Sequence, residues 1–171
     1  MNLSNRNIVL IGMPGVGKST VGVLLAKELS RDFLDTDVLI QSHEGRRLTD
    51  LINGGGIDGF RALEGRYILA LNCAQQVIAT GGSAVYSEPA MAHLRSNGVI
   101  VHLSLPIEQI EARVTNLDAR GVVRGENQSL RDLYVERLPL YRRHRDCEID
   151  CTGRTHEDVV HAVIATLDSL P

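Results

Sequence analysis

The sequence predicts an α/β fold: a three-layer α/β/α sandwich built on a five-stranded parallel sheet. Three observations carry that expectation. Short β-branched apolar runs alternate along the chain with segments whose apolar residues recur at helical spacing. The first run is apolar throughout, as a strand covered on both faces is. It opens through a glycine loop directly into a helix, as the strand-helix alternation of a parallel sheet requires.

The elements follow in order. Asn7-Ile8-Val9-Leu10-Ile11 reads as the first strand, and Val21 to Leu29 as the helix behind the loop. Phe33-Leu34-Asp35-Thr36 reads as a second strand, whose carboxyl end delivers Asp35 and Asp37 to the sheet edge where ligands sit. Val38 to Asn53 reads as broken helix, Gly54-Gly55-Gly56 as a flexible joint, and Asp58 to Leu71 as a helix carrying Phe60, Leu63, Tyr67 and Leu71 in register. Val77 to Thr80 is a third strand ending at Gly81-Gly82-Ser83, and Val99 to Leu103 a fourth, after a short helix near Pro89 to Arg95. Pro106 opens a helix with Ile107, Ile110 and Val114 on one face. From Asn116 to Gln128 the chain is polar and glycine-containing, with arginines at 120 and 124, a composition that suits a mobile lid. Ser129-Leu130-Arg131-Asp132 restarts a helix with a capping-box pattern, which Pro139 is expected to bend or end. Cys147 to Cys151 is a weak last strand, and Thr155 caps a final amphipathic helix through Val159, Val160, Val163, Ile164 and Leu167.

With 171 residues, 43% of them hydrophobic, the chain fills one core and falls short of two ordinary domains, so a single domain over 1–171 is expected. Its 18 basic and 21 acidic residues leave a net charge of -3, which supports neither nucleic acid nor an anionic membrane as the partner. The dense basic run Arg142-Arg143-His144-Arg145 reads as a solvated helix end rather than a phosphate contact. Cys73, Cys147 and Cys151 are odd in number and lack C-x-x-C spacing, which suggests reduced thiols and neither a disulfide framework nor a zinc site. The Ile8–Ile11 run is too short for a leader's apolar core, and nothing approaches a membrane span, so a soluble cytoplasmic protein is expected.

Gly12-Met13-Pro14-Gly15-Val16-Gly17-Lys18-Ser19-Thr20 fits the pattern G-x-x-x-x-G-K-[ST] at every fixed position, between a strand and a helix as the motif requires. Its glycines let successive N–H groups turn inward onto an anion, at the positive end of the helix that follows. Nucleoside triphosphate binding is therefore expected, with Gly15, Val16, Gly17 and Thr20 at the phosphates, Lys18 reaching the β- and γ-phosphates, and Ser19 ligating Mg²⁺.

Asp35 and Asp37 flank Thr36 in a segment read as extended, which would send their side chains to opposite faces and give each a separate task. Phosphoryl transfer to a hydroxyl asks for two such acids, one holding metal and one orienting or deprotonating the attacking oxygen. A helix cap plus a surface acid is the competing account. Arg61 and Glu64 lie three apart on a helix, so the acid could fix the guanidinium for a bidentate grip on a carboxylate; an exposed ion pair reads identically. Gly81 and Gly82, at a strand end, permit close approach to a small ligand or simply make a tight turn. Arg137 stands just before Pro139, where an interrupted helix could swing it toward a cleft.

In sequence order GMPGVGKST, FLDTD, GFRALE, ATGGS and ERLPLYRR resemble the shikimate kinase family over nearly the whole chain. The resemblance implies a P-loop fold like that of nucleoside monophosphate kinases, with a substrate-binding helical region at about 38–72 and the lid at about 116–128. It implies transfer of the ATP γ-phosphate to the shikimate 3-hydroxyl in aromatic amino acid biosynthesis, by a monomer using Mg²⁺. It also implies roles. Lys18 contacts phosphate, Ser19 ligates Mg²⁺ and Asp35 does so through water. Asp37 holds the shikimate hydroxyls and acts as base, Arg61 and Arg137 clamp the carboxylate, and Gly81 with Gly82 lines the ring. Arg120 in the lid neutralises the transferring phosphate, and Arg154 flanks the adenine. Two departures stand out: Ser83 replaces a third glycine, and Arg120-Gly121-Val122-Val123-Arg124 lacks the proline and leucine that usually follow the lid arginine. They leave room for another small hydroxylated acid as acceptor, and a non-catalytic nucleotide-binding relative is the remaining alternative.

Overall fold

The computed structural model of the protein describes residues 5–114, 121–125 and 127–170. Five strands, β1 (Asn7–Ile11), β2 (Asp32–Asp35), β3 (Gln76–Ala79), β4 (Gly98–Ser104) and β5 (Cys147–Asp150), pair in parallel in the order β2-β3-β1-β4-β5. β1 is buried along its whole length, which is why it reads as a continuous apolar run instead of an alternating one. The chain leaves β1 toward the β2 edge and leaves β4 toward the β5 edge, so the direction of winding reverses between these neighbours. Open parallel sheets take their ligands outside the carboxyl ends of the strands at such a reversal.

Helices cover both faces, as expected. α1 (Lys18–Glu28) packs with α7 (His156–Asp168), while α3 (Leu48–Leu69), α4 (Glu88–Ser96) and α6 (Leu130–His144) lie together through a short 3₁₀ turn at Ala84–Tyr86. α2 (Thr36–Glu44) and α5 (Ile107–Arg113) complete the set. Ser129 and Thr155 each head a reciprocal capping box, with Asp132 and Asp158 answering three residues on.

The broken helix over 38–53 is found, its break at Gly45, left-handed at φ 62°. Two sequence expectations need correction. The glycine joint is narrower than Gly54-Gly55-Gly56: only Gly56 leaves helical dihedrals, at φ 69° and ψ 178°, and α3 runs on from Leu48 to Leu69. Pro139 does not end α6, which runs through it from Leu130 to His144. Its missing N–H frees the carbonyl of Val135, a residue 68% exposed, where water can take up the lost bond.

One large apolar cluster fills the space around the sheet, and a second joins Ile40, Leu48, Leu51, Phe60 and Val123. The second ties α2 and α3 to the 121–123 segment over the carboxyl end of the sheet. No described helix is long and apolar enough to cross a membrane. Arg142 and Arg143 are exposed at the end of α6, as the solvated-end reading has it, but His144 is buried.

Ile100, in β4, is fully buried. Ile100→Ala removes buried methyl groups at a site the rigid sheet cannot collapse, and should cost about 2–5 kcal/mol, read as a lower urea midpoint at unchanged m-value.

Candidate active site

The glycine loop follows β1 as the motif demands. Gly12, Gly15 and Gly17 take φ of 146°, 84° and 108°, values that side-chain-bearing residues rarely adopt. Gly17 caps α1 without any side chain bonding to the helix, so the first-turn N–H groups stay available for an anion. Lys18 is buried, its Nζ donating to the carbonyls of Gly12 at 2.8 Å and Met13 at 3.0 Å. Burial pulls its ammonium down to about 8, against the opposing pull of Asp37 and Asp35.

Asp35 ends β2 and caps α2: its Oδ1 accepts from the N–H groups of Asp37 and Val38, while Oδ2 accepts from the Ser19 hydroxyl at 2.6 Å. The segment is thus not extended through Asp37, as the sequence reading had it. Asp37 stands in the first turn of α2, and the two acids share the wall of a second pocket instead of facing opposite ways. Asp35 is thus the helix cap of the competing account and also the partner of Ser19. Burial, and next the charge of Asp35, push Asp37 up to about 6. Ser19 and Asp35 offer hard oxygens of the kind that Mg²⁺ takes alongside phosphate and water, so the donor set fits that ion. No group of three or more His, Cys, Asp or Glu that could hold a metal forms among the described residues.

At the end of β3, Gly81 donates its N–H to Thr36 Oγ1 at 3.0 Å. A Cβ at Gly81 would lie 2.2 Å from Glu64 Oε1 and 2.6 Å from Asp37 Oδ1, so two acids converge on a point only glycine leaves open. A Cβ at Gly82 would lie 2.8 Å from an Arg137 nitrogen and 3.2 Å from the Pro14 ring. Glu64 does not pair with Arg61, despite their spacing. It is buried, accepts from the Ser83 hydroxyl at 2.6 Å through Oε2, and leaves Oε1 without a hydrogen-bond partner. Burial pushes its carboxyl up to about 7.

Arg61 instead stacks on the Tyr86 ring, 3.6 Å from its centroid, and faces Glu136 at 3.9 Å. Arg137, fully buried on α6, approaches the same ring at 5.4 Å and donates to the Tyr86 hydroxyl and the Val123 carbonyl. The two guanidinium groups, far apart in sequence, therefore meet over one aromatic ring.

A cavity of about 650 Å³ joins these parts. Its wall includes Gly15, Gly17, Lys18, Ser19 and Thr20 of the loop, then Asp37, Gly81, Gly82 and Arg137, but not Arg61 or Asp35. Sequence reasoning missed Arg113, His156 and the Val122–Val123 pair, which also line it. His156 had a readable signal, since it opens the helix after the last strand at the ligand-bearing edge. Arg154 is exposed on the preceding turn and is not in the wall, while Arg120 lies outside the described residues.

A phosphate loop at the head of a parallel sheet, a hydroxyl and carboxylate pair beside it, and a charged acceptor pocket in the same cavity define a P-loop kinase of small molecules. The sequence model of a family described as shikimate kinase matches residues 14–168. Shikimate kinases from Pseudomonas entomophila and Thermodesulfovibrio yellowstonii are 38% and 36% identical to this chain, covering 97% and 96% of it and 98% and 96% of their own lengths. A shikimate kinase from Acinetobacter baumannii, solved in complex with shikimate, superposes with a TM-score of 0.88 at 31% identity, over 99% of this chain and 97% of that one. The chain belongs to the shikimate kinase family, and with it is an ATP-dependent phosphotransferase acting on a hydroxyl.

Glu64 yields a test with a definite sign. Its folded pKa is raised, so ionisation opposes folding: the penalty is complete above about 7, shrinks as pH falls through that value, and is gone by the ordinary glutamate range. Glu64→Gln should therefore stabilise the ligand-free protein at pH 8 by on the order of 2–3 kcal/mol, a gain that fades toward pH 5. Urea unfolding of both proteins at each pH measures it, and the comparison cancels other titrating groups such as His102.

Proposed function

We propose that the chain transfers the γ-phosphate of ATP to the 3-hydroxyl of shikimate. One observation carries this reading: the cavity wall runs without a break from the phosphate loop past Asp37 to Gly81, Gly82 and Arg137. A triphosphate seated on the loop would point its terminal phosphorus at a small acid held from the other end.

In this reading the N–H groups of Gly15, Val16 and Gly17, with Thr20, cradle the phosphates, and Lys18 turns its ammonium onto their oxygens. Ser19 and Asp35 would hold Mg²⁺, Asp35 through water. When bound, that ion neutralises phosphate charge. Asp37 takes the proton of the attacking hydroxyl as the oxygen bonds to the γ-phosphorus and ADP leaves; its value of about 6 keeps it ionised at neutral pH yet basic enough to help. Arg137 and Arg61 grip the acceptor carboxylate, which requires Arg61 to leave Tyr86 and Glu136. Arg113 and His156 border the nucleotide end. From the resemblance alone, Arg120 neutralises the transferring phosphate and Arg154 flanks the adenine. We take 1–171 as one cytoplasmic, monomeric domain, with an acceptor-binding region at about 38–72 built on the smaller apolar cluster and a lid at about 116–128.

A coupled assay of ADP release tests the reading: turnover should require shikimate, and none above background removes it. Arg61→Ala and Arg137→Ala should each raise KM for shikimate by roughly ten- to a hundredfold, the worth of hydrogen bonds to a charged group, while KM for ATP stays within about twofold. A loss confined to ATP affinity would assign both residues wrongly.

A further inference from the structure

Tyr141 lies one helical turn beyond Arg137 on α6, and the phosphate-transfer chemistry leaves it without a task. Four residues apart on a helix, the two side chains share a face, and both are buried to 1% exposure. The Tyr141 hydroxyl donates to the carbonyl of Gly82 at 2.8 Å. Burial pushes the phenol up to about 12, against the opposing charge of Arg137, so it keeps its proton and stays a donor at neutral pH. Its oxygen also lies within hydrogen-bonding reach of Arg137. Burial opposes the Arg137 cation, and Tyr141 stands first among the groups that favour it. Behind the ring, His102 of β4 stacks on it, the centroids 5.1 Å apart and the planes at 17°. His102 is 2% exposed, and burial draws its imidazole down to about 4, so the backing surface is flat and neutral.

Gly82 and Arg137 both line the acceptor end of the cavity but come from different elements, a turn after β3 and α6. A Cβ on Gly82 would lie 2.8 Å from Arg137 Nη1, so backbone and guanidinium leave no slack between them. Arg137 also donates to the Tyr86 hydroxyl and the Val123 carbonyl; Tyr141 is the partner that reaches Gly82 as well. We propose that Tyr141 is a positioning residue of the acceptor site: its hydroxyl bridges Arg137 and the Gly82 carbonyl, and so sets the distance between the guanidinium that takes the acceptor's carboxylate and the glycine turn that lines its ring, with His102 holding the phenol from behind. The inference rests on the kinase reading above and adds to it a residue acting through two others. A planar guanidinium binds a carboxylate through paired N–H bonds, which small rotations spoil. A bridge that removes those rotations before the ligand arrives spares the ligand the cost of ordering the side chain.

Tyr141→Phe keeps the ring and its stack and deletes only the bridge. It should raise KM for shikimate by roughly five- to tenfold, the worth of one hydrogen bond, while KM for ATP stays within about twofold. The ratio of kcat/KM for shikimate to that for its neutral amide should fall about fivefold, because a guanidinium out of place gains less from the acid's charge. His102→Ala should shift this ratio in the same direction by less. Val163→Ala, a cut into the buried face of α7 outside the cavity wall, should lower the urea midpoint and leave the ratio where it is, which separates positioning from lost stability. An unchanged ratio in Tyr141→Phe, or equal rises in both KM values, overturns the proposal. Rotation of the Arg137 guanidinium, followed by ¹⁵N NMR in the ligand-free protein, separates this from the parent reading. If the wild-type chain fails to phosphorylate shikimate but that rotation quickens in Tyr141→Phe, the acceptor assignment falls and the bridge stands. If shikimate is turned over and the rotation is the same in both proteins, the bridge falls alone.

Discussion

Charge held out of water at the carboxyl end of the sheet is the constraint to which the rest of the structure answers. Lys18, Glu64 and Arg137 are buried there, and Asp37 is half-buried among them. Each charged form would be costly alone in such a place. The surroundings share the cost: backbone carbonyls of Gly12 and Met13 receive Lys18, Val123 and Tyr86 receive Arg137, and Ser83 serves Glu64. The compensation is incomplete at Glu64 Oε1.

The fold makes that concentration of charge possible by fixing backbone before side chains. Parallel pairing of β1 with β3 and β4 holds the loops after them in register, so that the glycine loop, the Gly81 turn and the start of α2 face one space. Glycine is needed where those backbones meet side chains. At Gly81 the competing atoms are carboxylate oxygens, and at Gly12 the obstacle is the carbonyl of Leu103, 2.5 Å from where a Cβ would sit. At Gly81 the absence of a side chain is what the site uses; Gly12, at φ 146°, needs glycine's backbone freedom as well.

The segment before α6 is tied to α2 and α3 through a small apolar cluster. Val123 packs with Phe60, Ile40, Leu48 and Leu51, and its carbonyl receives Arg137. Helix α3, which carries Arg61 and Glu64, the cavity-lining Val123 and the buried Arg137 are thereby mechanically linked. A ligand that pulled on Arg137 would act on all of them, a coupling by packed contacts with no need of a longer path.

The sequence by itself determined the architecture and the nucleotide end of the site. Strand runs, the glycine loop and both capping boxes are local patterns whose physics is complete within a few residues, so Lys18, Ser19 and Asp35 could be placed on their elements from spacing alone. Only the tertiary structure decided the acceptor end. Arg61 and Glu64 have the spacing of a helical ion pair, yet Tyr86 and Ser83, from a turn about twenty residues away, each hold one of them. Pro139 looked like a helix end until the surrounding packing and an exposed Val135 made its missing hydrogen bond affordable. Side-chain partners drawn from different elements depend on where the sheet sets those elements down, and no window of sequence contains that distance.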